Sequence, residues 1–401
     1  MGKNLNGKEI GKGIGQRPDG RYEARATING VKIHLYNMSL QELKKEFEAE
    51  KEKIIRGEVT EKSNTLLSDW YDEWFTKCKS PALKSDVSRK VYDRKIRNTY
   101  IRVLGEKIVN TISQLDIQNA TNILSSEGYA KKSVKDALGG LRECFDIAII
   151  NKITTVNPCK GIIVADDLEI SKERRVLSHW EQDLFLNEIK NSYYEEAYKI
   201  LLTTGMRIGE FSALQWGDVD FDKKVINIQR SLMTAYVDGK KIMELTTPKT
   251  LNSYRAIPFF SETEALLKSW RKKQQMTKEK LGRRWRADEK FGDLVFTTTM
   301  GSPLTRYNII HDLKKVETNI ILKEQHLAAK EGREPRFFDH IHPHCFRHTF
   351  ATRCFEKGMD PVVVQNIMGH ANYSTTLSYT HILDDKKKAE ANKVGEFLRC
   401  S

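Results

Sequence analysis

The residues with the clearest chemical potential lie near the end of the chain and in two segments upstream. Within residues 341–381, His344 and Arg347 have an H-x-x-R spacing, which on a helix places both side chains on one face. Arg207 supplies a second guanidinium, and Tyr379 supplies a phenol that can act as a nucleophile. The full set comprises Arg207, Lys249, His344, Arg347, His370 and Tyr379.

These residue types suit an attack on a phosphodiester. Negative charge then builds on the non-bridging oxygens and on the departing oxygen, and both must be stabilised. Metal nucleases do this with cations held by carboxylates, and no clear carboxylate cluster of that kind is apparent in the sequence. Two guanidiniums can replace the metal, because each is permanently charged and binds two phosphate oxygens at once. The set therefore predicts metal-free cleavage, with no cofactor.

The motifs around these residues resemble those of the tyrosine recombinases, and most closely those of conjugative-transposon integrases. The family pattern consists of T-G-x-R-x-x-E, a hairpin lysine, H-x-x-R, L-G-H and a tyrosine followed by T-H. This chain has the same order in TGMRIGE, TPKT, HCFR, MGH and YTH, over about residues 174–383. Met368 replaces the usual leucine, which is a conservative apolar exchange. Six positions in register are far more specific than one short motif.

The resemblance implies a role for each residue. Tyr379 would form a 3′-phosphotyrosyl intermediate, and Lys249 would protonate the leaving 5′-oxygen. His344 would assist proton transfer from the tyrosine, and His370 would hydrogen-bond the scissile phosphate. Arg207 and Arg347 would clamp that phosphate, with Glu210 orienting the first guanidinium.

The resemblance also implies partners. These are double-stranded attachment-site DNA, a homotetramer that exchanges strands through a Holliday junction, and an accessory excisionase or host DNA-bending protein. The charged tail 384–401 would dock on a neighbouring protomer. The implied function is integration and excision of a mobile element, in a bacterial cytoplasm and associated with the nucleoid.

Two alternatives remain at this stage. His340, His342 and His344 alternate, with His348 nearby, so a zinc-dependent nuclease is one candidate. Pro343 weakens it by disturbing a regular strand. The other candidate is a DNA-binding regulator on an inactive recombinase scaffold, and the complete catalytic set argues against it.

Composition agrees with a nucleic-acid partner. The chain has 401 residues, with 67 Lys and Arg against 54 Asp and Glu, and a formal net charge of +13. Such a balance favours a polyanionic partner. The six cysteines form no C-x-x-C pair, and neither an apolar signal core nor a membrane span is apparent. We therefore expect a reduced, cytosolic protein with two or three domains.

Residues 1–60 are predicted to form an arm-type DNA-binding domain, with a three-stranded β-sheet and one helix. Asn29-Gly30 is a strong hairpin signal that pairs Ile28 with Val31. The apolar face would then be covered by a helix from Ser39 to about Arg56. The opposite face would read DNA as a β-ribbon in the major groove. The residues predicted to contact DNA on this face are Arg21, Arg25, Lys32 and His34.

Residues 63–160 have helical patterns and are predicted to form a SAM-like core-binding bundle. The segment Lys84–Lys107 holds eight basic residues against three acidic ones. A basic outer face of this kind can lie along phosphates, although it also suits an ordinary solvated helix. The residues predicted to contact DNA in this bundle are Lys84, Arg89, Lys90, Arg94, Lys95, Arg97, Lys131 and Lys132.

Residues 170–401 are predicted to form a mainly helical catalytic domain with a small β-hairpin or sheet. Ser178 and Glu181 form a capping box at its first helix. Gly205 allows the tight turn that lets Arg207 leave a helix start and point into a cleft. Val225–Arg230 and Arg255–Phe259 are predicted strands around the hairpin that carries Lys249. The predicted fold class is therefore α+β and multidomain.

Overall fold

The computed structural model describes residues 2–28, 30–56, 64–165, 175–237, 239–247 and 254–369. Its contacts divide the chain into two compact units, Met1–Ile170 and Ser171–Ser401. Both helices and small sheets are present, as the α+β prediction requires. None of the helices in the described ranges is both long and apolar enough to cross a membrane.

The first unit begins with small antiparallel sheets. The elements are β1 (Gly2–Lys3), β2 (Glu9–Gly11), β3 (Ile14–Gln16), β4 (Tyr22–Ile28), β5 (Val31–Asn37) and α1 (Leu40–Ile55). Strands β3, β4 and β5 form a three-stranded sheet in which Ile28 pairs with Val31, as predicted. Ala24 and Ile33 are buried under Leu43 and Phe47 of α1. The alternation of the strands therefore sets which face the helix covers.

A helical bundle completes the first unit. Its elements are α2 (Leu67–Trp74), α3 (Ser80–Ala82), α4 (Asp86–Ile96), α5 (Arg102–Leu104), α6 (Gln114–Ser126) and α7 (Lys131–Ile150). Single π-helical turns, Phe75–Lys79 and Arg97–Ile101, join α2 to α3 and α4 to α5. Trp70, Tyr71, Tyr100 and Phe145 lie in a second apolar core. The helical patterns recognised in residues 63–160 therefore correspond to observed helices.

The second unit is mainly helical. Its helices are α8 (His179–Glu188), α9 (Glu195–Thr204), α10 (Ile208–Ala213), α11 (Ser261–Leu281), α12 (Arg306–Glu331), α13 (Pro343–Glu356) and α14 (Pro361–Met368). The predicted Ser178–Glu181 capping box is present at the start of α8. Phe185, Tyr198, Phe211, Trp270 and Phe346 are buried in the core that these helices share.

Five short strands accompany these helices. They are β6 (Val219–Asp220), β7 (Val225–Ile228), β8 (Ser231–Val237), β9 (Lys240–Thr246) and β10 (Arg255–Pro258). Strands β10, β7 and β6 form one sheet, so the two predicted strands are confirmed and pair with each other. The sequence reasoning missed the second hairpin, β8–β9, which lies between them. The Asp-Gly dipeptide at 238–239 in the sequence is the signal that could have revealed it.

Candidate active site

Arg207 is placed by a sharp change of chain direction. Helix α9 ends at Gly205, which adopts a left-handed conformation with φ 60° and ψ 19°. A Cβ atom added to Gly205 would lie 2.3 Å from Cδ1 of Phe350, so this position admits only glycine without a shift of the ring. Arg207 then becomes the N-cap of α10 with extended backbone. The tight turn expected from the sequence is therefore present.

Arg347 approaches the same turn from α13. It is buried, with 4% relative exposure. Its Nη1 donates to the carbonyl of Gly205 at 2.7 Å, and its Nη2 donates to the carbonyl of Met368 at 2.6 Å. The second arginine of the predicted clamp is thus locked between the end of α9 and the end of α14.

Three guanidiniums bind three consecutive carbonyls at the C-terminus of α14. Arg255 Nε donates to Ile367 at 2.6 Å, Arg347 Nη2 donates to Met368, and Arg207 Nη2 donates to Gly369 at 2.6 Å. The last carbonyls of a helix have no partner within it and carry the negative end of the helix dipole. Cations are therefore favoured here, and this helix end gathers arginines from three separate segments.

Glu210 joins two of these arginines. Its Oε1 accepts from Nη1 of Arg207 at 2.8 Å and from Nη1 of Arg255 at 3.0 Å. Its Oε2 accepts from the backbone N–H of Arg207 at 2.9 Å and from Nη2 of Arg255 at 2.8 Å. Burial alone would raise the pKa of Glu210, but the hydrogen bonds and charge of Arg255, with those of Arg207, outweigh it and lower the pKa to about 2. Glu210 is therefore ionised and pairs with the side chain of Arg207, three residues before it.

His344 lies one turn before Arg347 on α13 and is exposed. The surrounding protein partly displaces water, and this desolvation is the largest cause of a lowered pKa for His344. The charge of Arg306 is next, followed by smaller effects of His342, Arg347 and Arg207. Each of these favours the neutral imidazole, which is the form that can accept a proton.

The histidine series does not form a metal site among the described residues. No group of three or more His, Cys, Asp or Glu side chains is arranged there to hold an ion. The ring centroids of His344 and His348 are 6.3 Å apart, and His340 Nδ1 is paired with Glu317 Oε2 at 2.8 Å. The zinc nuclease alternative therefore gains no support from this part of the chain.

Three of the six predicted catalytic residues fall outside the described ranges. They are Lys249, His370 and Tyr379. The structure brings Arg207 and Arg347 to the end of α14, with Glu210 paired to Arg207, and it places His344 one turn before Arg347 on α13. The sequence reasoning missed Arg255, which it noted only as the start of a strand. A lone arginine opening an otherwise apolar strand, RAIP, is the signal that was present.

The predicted DNA contacts on the N-terminal sheet lie near carboxylates. Arg21 pairs with Asp19 at 2.8 Å, and Glu23 pairs with both Arg25 and His34. Glu23 alternates with Arg21 and Arg25 along the chain, and it offsets part of the positive charge of this face. Lys32 is exposed on β5.

Several of the bundle cations form ion pairs, and their exposure varies. Arg89 pairs with Asp86, Lys95 with Asp136, and Arg97 with both Asp93 and Asp72. Arg97 also lies over the Tyr71 ring, 5.2 Å from its centroid, which favours a packing role for it. Four others are exposed: Lys84, Lys90, Arg94 and Lys132. Lys131 is half-buried.

Comparisons with known proteins fit this geometry. Residues 175–386, a range that includes all six candidate catalytic positions, match the phage integrase family. A tyrosine recombinase XerC-like protein of Caldanaerobacter subterraneus subsp. tengcongensis is 30% identical over 361 residues, covering 86% of this chain and 87% of that protein. The transposase from transposon Tn916 of Enterococcus faecalis is 29% identical over 300 residues, covering 73% and 69%.

A solved structure gives the same fold. The Tn1549 transposon integrase, in complex with a circular intermediate DNA, aligns with a TM-score of 0.63 and 23% identity, covering 82% of this chain and 99% of that one. The family match spans more than half of the 401 residues, and the XerC-like relative extends it to most of the chain. This chain therefore belongs to the phage integrase family of tyrosine recombinases.

Proposed function

We propose that this protein is the integrase of a conjugative element and recombines DNA with the six residues predicted from its sequence. The observation that carries the proposal is the convergence of Arg207 and Arg347 on Met368 and Gly369, directly before His370 in the chain. Each guanidinium has five N–H donors. The hydrogen bonds to protein carbonyls fix its plane, and the remaining donors of Arg207, which is 35% exposed, can face a phosphate.

The proposed reaction begins when the Tyr379 oxygen attacks the scissile phosphorus. A bond forms between the phenolic oxygen and the 3′-phosphate, and the bond to the 5′-oxygen breaks. Lys249 gives a proton to that leaving oxygen, and neutral His344 assists removal of the phenolic proton. Arg207, Arg347 and His370 stabilise the charge on the phosphate. Because the phosphotyrosyl bond conserves the energy of the broken diester, a new 5′-hydroxyl can religate without ATP.

The remaining parts of the chain would deliver DNA to this centre. Residues 1–60 would bind arm-type sites, 63–160 would clamp the core site, and 170–401 would hold the catalytic centre. A lambda integrase tetramer bound to a Holliday junction has a similar fold, with a TM-score of 0.52, which supports a tetramer on DNA. In that tetramer, the tail 384–401 would dock on a neighbouring protomer. An excisionase or host DNA-bending protein would set direction, with the enzyme acting at the nucleoid in the bacterial cytoplasm.

A covalent trapping assay tests the proposal. Nicked duplexes made from the ends of the encoding element are incubated with enzyme and EDTA and run on a denaturing gel. We expect a DNA–protein band that survives EDTA with wild-type protein and is missing with Tyr379→Phe.

Two results would refute the proposed chemistry. A band retained by Tyr379→Phe would assign the nucleophile to another residue. Cutting that requires a divalent metal and leaves no adduct would instead support the histidine-based nuclease.

A further inference from the structure

Arg255 is a buried arginine that the proposed reaction does not use. It opens β10, and its side chain is 6% exposed, as is that of its partner Glu210. A side chain so enclosed cannot lie along a DNA phosphate. Arg255 nevertheless lies six residues after Lys249 in the sequence. Its side chain also hydrogen-bonds to Glu210, the residue that holds Arg207.

The first connection runs through Glu210. Arg255 donates from both terminal nitrogens to the two carboxylate oxygens, at 3.0 and 2.8 Å. Those same oxygens hold the side chain and the backbone N–H of Arg207. The bidentate pair fixes the plane of the carboxylate, and that plane fixes the direction of the Arg207 guanidinium.

The second connection runs to the end of α14. Arg255 Nε donates to the carbonyl of Ile367, next to the carbonyls held by Arg347 and Arg207. A Cβ atom on Gly369 would lie 3.0 Å from Cδ of Arg255, so the side chain also packs closely on the residue that leads to His370. One guanidinium therefore links the strand after the Lys249 segment, the start of α10 and the end of α14.

We propose that Arg255 is a positioning residue for recombination, which sets Arg207 through Glu210 and aligns the end of α14 before His370. The inference rests on the proposed function, because it requires Arg207 to act on the scissile phosphate. A buried ion pair adds little net stability compared with apolar packing, so stability alone does not account for it. Lysine cannot replace Arg255, because an ammonium lacks the planar fork that binds both carboxylate oxygens and a carbonyl together.

The test compares two forms of the scissile linkage. Full-length wild type, Arg255→Gln, Arg255→Lys and Arg207→Ala are given nicked duplexes with either a normal phosphodiester or a methylphosphonate at the cleavage site. A methylphosphonate lacks the negative charge that the arginines neutralise. Single-turnover cleavage and the Kd for DNA are measured for each protein.

On the phosphodiester we expect both Arg255 variants to cleave on the order of 100-fold more slowly than wild type, because small misplacements of catalytic groups have effects of this size. The Kd for DNA should stay within a few-fold of the wild-type value. On the methylphosphonate, the difference in cleavage rate between the Arg255 variants and wild type should be smaller. The same reduction is expected for Arg207→Ala. The matched control is Arg230→Gln. It removes another ion pair to a buried carboxylate in the same unit, that of Arg230 with Asp218 at 2.9 Å. Any reduction in its cleavage rate should be equal on the two substrates.

An equal deficit of Arg255→Gln on both linkages would overturn the proposal, since a merely structural defect does not depend on phosphate charge. Wild-type activity of Arg255→Lys would overturn it as well. Failure of the proposed function looks different, because wild type itself would then form no Tyr379-dependent adduct.

Discussion

At the scale of single residues, the site depends on two arginines that share one carboxylate. Glu210 is buried and would be expensive to ionise alone, yet Arg255 and Arg207 provide charge-assisted hydrogen bonds to both of its oxygens. Removal of either partner would leave a buried charge incompletely compensated. The stability of the fold should therefore depend on the ionisation of Glu210, and this dependence can be measured.

Replacement of Glu210 by glutamine should therefore have a pH-dependent effect on stability. The pKa of Glu210 is lowered from 4.5 to about 2, so its stabilisation is present above pH 4.5 and is lost as pH falls toward 2. Linkage gives a contribution of about 3 kcal/mol at neutral pH. Urea unfolding of wild type and Glu210→Gln should show this gap at pH 7 and a smaller one below pH 4.5. Glu279→Gln, an exposed glutamate of α11, is the control, and a gap independent of pH would contradict the argument.

Removal of the Arg306 charge should raise the pKa of His344. Desolvation is the largest cause of the lowered pKa of His344, and Arg306 is the next. Arg306→Gln should move the His344 titration, followed by NMR of labelled histidines, toward higher pH. Arg306→Lys keeps the charge and is the matched control. A titration that is unchanged in Arg306→Gln would show that the arginine charge does not reach the imidazole.

At the scale of elements, the ends of helices build the site. The C-terminus of α9 supplies Gly205 and its carbonyl, the N-terminus of α10 supplies Arg207, and the C-terminus of α14 supplies three carbonyls. Helix ends leave backbone groups without partners, so side chains from distant segments are drawn to them. The hairpin β8–β9 packs behind α10, where a Cβ on Gly209 would lie 2.4 Å from Oγ of Ser231.

Replacement of Gly205 by alanine should damage this arrangement strongly. The residue has φ 60°, and its new methyl group would overlap the Phe350 ring at 2.3 Å. Strain and overpacking together predict a loss of about 3 kcal/mol in the free energy of unfolding, measured by urea denaturation. Gly217→Ala is the control, since no atom lies within 4 Å of its added Cβ. Equal effects of the two substitutions would refute the packing argument.

At the scale of the whole molecule, the net charge of +13 is distributed over two compact units. Many of the cations are held by neighbouring carboxylates, as the pairs of Arg25 and Arg97 illustrate. A cation that keeps its ion pair releases fewer counterions on binding DNA. Exposed lysines of the bundle are therefore better candidates for phosphate contacts than cations that are paired with carboxylates.

Neutralising three exposed bundle lysines should flatten the salt dependence of DNA binding. The variant carries Lys84→Gln, Lys90→Gln and Lys132→Gln. If each lysine contacts one phosphate, the slope of log Kobs against log salt should become less steep by about three, measured by fluorescence anisotropy. Lys323→Gln, whose lysine pairs with Glu188 at 2.5 Å, is the control. An unchanged slope would remove these lysines from the DNA interface.

Deletion of 384–401 should change assembly or cleavage control. The segment is charged and lies outside the described residues, and the proposal gives it a docking role on a neighbouring protomer. The truncated protein should still bind a single site, while synapsis or strand exchange on paired sites is altered. Unchanged synapsis and strand exchange in a native gel assay would refute this role.

The sequence by itself determined the local structure of several elements. Hairpin pairing at Ile28 and Val31, the Ser178 cap and the turn at Gly205 follow from local backbone preferences, so short-range patterns were sufficient. The motif around Arg207 likewise carried its own orienting partner, Glu210, three residues away. A fixed spacing on one helix start brings these two groups together without help from the rest of the chain.

Only the tertiary structure decided how the arginines are arranged. Arg255 and Ile367 are 112 positions apart, and Arg207 and Gly369 are 162 apart, so no local period could pair them. Long-range contacts depend on which helix ends meet in the packed core, and that is settled by the burial of many side chains at once.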